Sequence, residues 1–132
     1  MSSMASIALT RDQRDALGAA HEVQVSTYRR DDTRRQPIPI WTVRVEDEVY
    51  VRSALGPDAA WYRNALKNNR LHVDTGSVAT DVALQTAAGA EINAAVDAAY
   101  RAKYPHGGSA TTTMVTAPAV DTTVKLIALE GN

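Results

Sequence analysis

The chain has 132 residues, with 14 Lys+Arg against 15 Asp+Glu, three His, no Cys and no Phe. That length suits one domain. The near-neutral balance provides no field to gather DNA, RNA or an anionic membrane surface, and the absence of Cys excludes disulfides, thiolate metal sites and Cys nucleophiles.

Residues 1–9 read as a loose tail ahead of a single domain over 10–130. Thr10 with Gln13 three positions on forms a capping box and predicts a helix over 11–21, with Ala16, Leu17 and Ala20 as its apolar stripe. A β-branched run predicts a strand over 23–28, followed by the polar connection RRDDTRRQ at 29–36. Strands over 38–45 and 48–53 flank Glu46-Asp47 as a hairpin, and Pro37 and Pro39 put the first of them at an edge or at a strand start. After the Gly56-Pro57 break, Asp58 is placed to cap a helix over 59–68. Strands over 71–75 and 78–86 flank Gly76-Ser77. The helical pattern over 88–104 has Ile92, Val96, Ala99 and Tyr100 on one face and ends at Pro105, Gly107 and Gly108. Two last strands are expected over 111–116 and 122–129, divided at Ala117-Pro118.

Six or seven strands joined by tight turns predict antiparallel pairing. A small barrel removes the exposed edges, so the expected fold is mainly β with about three helices, an α+β chain. Apolar residues make up 45% of the chain but aromatics only 5%, all of them Trp or Tyr, so Val, Ala, Leu and Ile must supply most of the core. No apolar run approaches the roughly 18 residues of a membrane span. The opening MSSMASIALTRDQRD has neither a basic start nor a long apolar stretch, so it reads as no secretion signal, and a soluble cytoplasmic protein is expected.

Four features carry chemistry. Eleven of the fourteen bases are Arg, and Arg29, Arg30, Arg34 and Arg35 crowd one connection, where guanidinium forks can clamp a phosphate or carboxylate. The alternative is a solvated loop neutralised by Asp31 and Asp32. In WTVRVEDEVYVRS, alternation puts Val43, Val45, Val49 and Val51 near one face or its continuation, with Thr42, Arg44, Tyr50 and Arg52 on the other. Trp61 and Tyr62 open a helix, where an anion can sit and an indole can stack on a planar ligand; otherwise Trp61 closes the core. Tyr100, Lys103 and Tyr104 share a helix face, suited to a proton donor with a tuning cation, or to a core anchor with a base at the negative helix end. His21, His72 and His106 lack ligand spacing, so no metal site is expected. No GxSxG, Walker A or GxGxxG occurs.

The order STYRRDDTRRQPIPIWTVRVEDEVYVRS, Gly-Pro turn, AWYRNALKNNRLHV, with AYRAKYP and TTVKLIAL further on, resembles the flavin- and deazaflavin-binding split β-barrel superfamily. This is the fold of pyridoxamine-phosphate oxidases and deazaflavin-dependent nitroreductases. Within it the chain is most similar to a small bacterial family, DUF2255, over about residues 10–130. The resemblance implies a homodimer with a pocket on the outer wall of the barrel, holding FMN or deazaflavin F420. It places phosphate contacts at Arg29, Arg34 and Arg35 and further cofactor-binding positions at Trp41, Ser53, Trp61 and Asn64, with Trp41 and Trp61 expected to wall the ring and Ser53 to meet its edge or the phosphate; Tyr104 or Tyr100 is the expected proton donor to the substrate. Ala54 and Leu55 follow Ser53, where relatives carry Lys, and Arg52 stands where several have a small residue.

The leading expectation is therefore an FMN- or F420-dependent oxidoreductase acting on a small organic substrate. Two alternatives accompany it. One is a cofactor-free enzyme whose Arg52 and Arg35 fix a substrate carboxylate. The other is a non-catalytic ligand-binding dimer.

Overall fold

The computed structural model describes residues 9–129. In chain order the elements are α1 (Arg11–Ala19), β1 (Val23–Ser26), β2 (Ile38–Ile40), β3 (Thr42–Val45), β4 (Glu48–Val51), α2 (Ala60–Asn68), β5 (Leu71–Asp74), β6 (Ala79–Thr86), α3 (Ala90–Lys103), α4 (Ser109–Met114) and β7 (Val124–Ala128). Short 3-10 turns at Gly56–Asp58 and Ala119–Thr122 precede α2 and β7. The expected N-terminal tail falls mostly on residues 1–8, outside the described residues. Leu9, assigned to that tail, is instead buried in the core.

All strand pairs are antiparallel, in the order β2-β1-β5-β6-β7-β4-β3. The two ends of that order, β2 and β3, are separated in sequence by Trp41 alone. The chain thus bends at Trp41 from pairing with β1 to pairing with β4, and the seven strands form a nearly closed barrel. Closure leaves little free edge, the liability of an open sheet. Val25, Val49, Val51, Leu71, Val73, Val82 and Leu126 meet inside, with Leu17 of α1 and Tyr62 and Ala65 of α2 packed against them. Each full burial of a Val or Leu contributes about 1.5–3 kcal/mol. A second cluster lies outside the barrel, where Val43 and Tyr50 on β3–β4 meet Val96, Tyr100 and Tyr104 of the α3 region and Met114 of α4.

The capping box forms as expected: Gln13 N donates to Thr10 Oγ1 (3.1 Å) and Thr10 N to Gln13 Oε1 (2.9 Å). Three expectations are corrected. The segment expected as a strand over 111–116 is mostly α4. Its threonines tolerate a helix because Thr113 Oγ1 donates to the carbonyl four residues back (3.0 Å), and Met114 seals the contact with α3. The four valines of β3–β4 do not share a face. The two-residue turn pairs Val45 with Glu48 and Val43 with Tyr50, so odd positions of β3 lie beside even positions of β4. Val49 and Val51 point into the barrel, while Val43 joins Tyr50 outside. Finally, Asp58 does not cap α2; Ala59 takes the cap position and makes no side-chain bond.

Gly56 is required where it stands. Its φ is +80°, and a Cβ there would lie 2.8 Å from Pro118 Cβ and Cγ, where the two 3-10 turns meet.

Candidate functional site

Two of the hollows on the outer surface gather predicted site residues, and a smaller third of about 280 Å³ is lined by Arg101, Tyr104 and the start of α4. The first, of about 420 Å³, is walled by Trp41 at the β2–β3 bend, by Ser53 just after β4, by Trp61 in the first turn of α2 and by Met114 of α4. Its rim carries two exposed apolar side chains, Leu55 (77% exposed) and Ile38 (37%). The lining is mostly apolar, with a single buried hydroxyl. Ser53 N donates to Thr122 Oγ1 (2.7 Å), but Ser53 Oγ is buried and has no partner. Such orphaned groups are uncommon and are the kind a ligand satisfies.

Trp41 is braced from behind. Its indole stacks on the Tyr104 ring at 3.9 Å, with 4° between planes. Tyr104 OH donates to the His21 carbonyl (2.8 Å), and Tyr100 OH donates to the Trp41 carbonyl (3.1 Å). Burial pushes both phenols well above their ordinary pKa. Lys103 Nζ donates to the Thr42 carbonyl (2.6 Å), and burial pulls its pKa down to about 8. The Tyr–Lys set at the end of α3 therefore holds the backbone at Trp41 and Thr42. Neither tyrosine lines the indole cleft.

Arg52 is also among the residues lining the cleft, but with 1% exposure its guanidinium is turned into the protein. Nε donates to Thr123 Oγ1 (2.8 Å), Nη1 to Asp97 Oδ1 (2.5 Å) and the Met114 carbonyl (2.9 Å), and Nη2 to the Asn93 carbonyl (3.3 Å) and Asn93 Oδ1 (3.4 Å). A guanidinium has five N–H donors, and all five are committed. None remains for a substrate carboxylate. Arg52 instead joins β4 to α3, α4 and the start of β7.

The second hollow, of about 550 Å³, is lined by Ser26 and Gln24 of β1, His72 and Asp74 of β5, and the loop arginines Arg29, Arg34 and Arg35. It adjoins the first in sequence, since Pro37 lines one and Ile38 the other. The loop acids form no ion pair with these arginines. Asp31 accepts from Thr33 N (3.1 Å) and Thr33 Oγ1 (2.7 Å), and Asp32 pairs with Arg70 (2.9 Å). Among the described residues, no carboxylate forms an ion pair with Arg29, Arg34 or Arg35. Arg35 Nε is buried without an acceptor. Asn64, on α2, lines neither hollow.

Beside the arginines stands a network the sequence reading missed. Asp81 Oδ1 accepts from Tyr28 OH (2.7 Å) and pairs with His72 Nδ1 (2.8 Å), and Arg70 Nε donates to Asp81 Oδ2 (3.0 Å). Burial pulls the Asp81 carboxyl up, but these hydrogen bonds outweigh it and hold its pKa below the usual value. Turn arithmetic carried the signal: a hairpin centred on Gly76-Ser77 pairs His72 with Asp81, as observed. The indole cleft's fourth wall had no such signal, because α4 read as a strand.

The fold is that of a split β-barrel, with seven antiparallel strands in a nearly closed barrel. The profile of the family described as "Uncharacterized protein conserved in bacteria (DUF2255)" matches residues 13–126, and the chain belongs to that family. Among solved structures it is similar to an F420-H2-dependent reductase (19% identity, TM-score 0.57, covering 81% of this chain and 93% of that one). It is also similar to a FAD-binding protein from Mesorhizobium loti (15%, 0.55, 93% and 91%) and to the heme storage protein HutZ from Vibrio cholerae (11%, 0.58, 95% and 93%). No curated protein sequence matches the chain. No helix among the described residues is long and apolar enough to cross a membrane.

Proposed function

We propose that this protein is a cytoplasmic homodimer that binds a flavin-type cofactor, FMN or F420, and acts as an oxidoreductase on a small organic substrate. The observation that carries the reading is the mostly apolar cleft between Trp41 and Trp61, in which Ser53 Oγ is the one buried side-chain polar atom, among the described lining residues, that lacks a partner. A flat, largely apolar ring with polar edges fits such a space: the indoles face its planes and the hydroxyl meets its edge. The solved relatives support the reading at the level of the fold, which hosts F420 and FAD in the proteins so named.

The bound cofactor supplies hydride transfer. The chain's own residues position it. Trp41 and Trp61 wall the ring, Tyr104 and Tyr100 hold Trp41 in place, and Ser53 hydrogen-bonds the ring edge. Arg29, Arg34 and Arg35 receive the phosphoryl group in the adjoining hollow. Since both phenols already donate to backbone carbonyls, proton donation by Tyr100 or Tyr104 is no part of this reading. The exposed Leu55 and Ile38 on the rim are covered by a second copy, which also shuts water from the ring.

Native mass spectrometry of the full chain with added FMN or F420 reads both parts at once. A dimer that captures one of them is expected. A monomer that captures neither at tens of micromolar overturns the reading, because resident cofactors bind more tightly than that.

A further inference from the structure

We propose that the arginine-lined hollow selects the dianionic end of a phosphate monoester over the singly charged phosphate of a diester, and that His72 makes the distinction. This rests on the reading that the arginines receive a phosphoryl group and specifies which kind.

The sheet register brings three polar side chains into one row on the outer wall. Ser26 of β1 lies opposite His72 of β5, and His72 lies opposite Asp81 of β6. Asp81, held as a carboxylate, can only accept, so the shared proton sits on His72 Nδ1. Nε2 is then the ring nitrogen left for the hollow that His72 lines. The imidazole is clamped. Asp81 is itself fixed by Tyr28 OH and Arg70, and Arg70 lies over the Tyr28 ring (3.7 Å) and pairs with Asp32 (2.9 Å).

The charges facing His72 are therefore Asp81 behind it, with Arg70 and Asp32 beyond, and Arg29, Arg34 and Arg35 across the hollow. Asp74 is the one acid on the hollow's wall. It is exposed and accepts from Gly76 N (2.8 Å). Three guanidiniums against one solvated carboxylate call for an anion, and Arg35 Nε is a buried donor with no acceptor in the protein. A phosphate monoester presents three non-bridging oxygens and a diester two. Two oxygens occupy guanidinium forks. The third, which only the monoester has, meets His72 Nε2, and the second charge is balanced by a proton taken up there. A diester brings its second alkyl group to that place, loses the contact and takes up no proton. FMN ends in a monoester and F420 carries a diester, so the hollow favours FMN.

The test titrates the full chain calorimetrically with methyl phosphate and with dimethyl phosphate, in two buffers of different ionisation enthalpy. The pH is about 7.5, where the monoester is dianionic because its second pKa is near 6. Methyl phosphate is expected to bind about tenfold more tightly, with proton uptake that dimethyl phosphate does not show. In His72→Asn the amide can still donate to Asp81 from the Nδ1 position but has no Nε2. The preference and the proton uptake should both vanish while the melting temperature holds. Arg35→Gln should weaken both esters alike. Equal affinities in the native protein, or a preference that survives His72→Asn, overturn the selectivity and leave the arginine reading standing. Binding of neither ester at millimolar concentration overturns both.

Discussion

Arg52 commits every N–H it has inside the protein, and its carboxylate partner, Asp97, is itself three-quarters buried. Removing one partner of such a pair leaves an uncompensated charge, which costs about 3–5 kcal/mol. Arg52→Met should therefore lower the urea midpoint by the equivalent of about 3 kcal/mol. A near-native midpoint would show the pair to be idle. Ser53 is the opposite case. Its hydroxyl has no partner, so Ser53→Ala should change the stability of the free protein by less than about 0.5 kcal/mol. The same change should weaken cofactor binding roughly five- to tenfold, the worth of one hydrogen bond. Equal binding in both proteins would remove Ser53 from the site. Composition alone could not separate these two neighbours. Both are polar residues at the end of a strand, and only the packing of α3 and α4 decides that one is satisfied and the other is not.

At the scale of elements, α3 serves as a brace for the β2–β3 bend through Tyr100, Lys103 and Tyr104. Lys103 carries a measurable signature of that role. Its pKa is about 8 in the folded protein against an ordinary 10.5, so above pH 8 the unfolded chain binds the extra proton. Stability contributed by this group should rise as pH climbs from 8 to about 9, before the tyrosines of the unfolded chain, all held protonated to higher pH in the folded protein, ionise appreciably. Urea midpoints across that window should increase in the native protein and stay flat in Lys103→Met. A falling midpoint in the native protein would contradict the burial of this amine.

The sequence made α1, α3 and the two hairpins legible because capping boxes, helical stripes and turn residues are local signals. It misplaced α4 because threonine-rich segments favour strands in isolation, and the deciding contact, Met114 against the α3 cluster, is remote in sequence. The mixed faces of β3 and β4 follow from the turn length rather than from alternation within each strand.

For the whole molecule, barrel closure at Trp41 links fold and site. The residue that lets one strand serve both ends of the sheet also presents its indole to the cleft. The residues expected to form one site fall into two adjoining hollows, indoles in the first and arginines in the second. Residue types singled out the indoles and the arginines, but their division between two hollows depends on the path of residues 29–41 around the barrel, which only the three-dimensional pairing fixes.

Trp41 and Trp61 are the only tryptophans in the chain, and both wall the cleft. Quenching of intrinsic fluorescence on titration with FMN therefore reports on the central claim directly. Saturable quenching at low micromolar FMN, weakened by Trp61→Leu, is the predicted result. Emission that falls only linearly with added FMN, identically in the native protein and the variant, would contradict it.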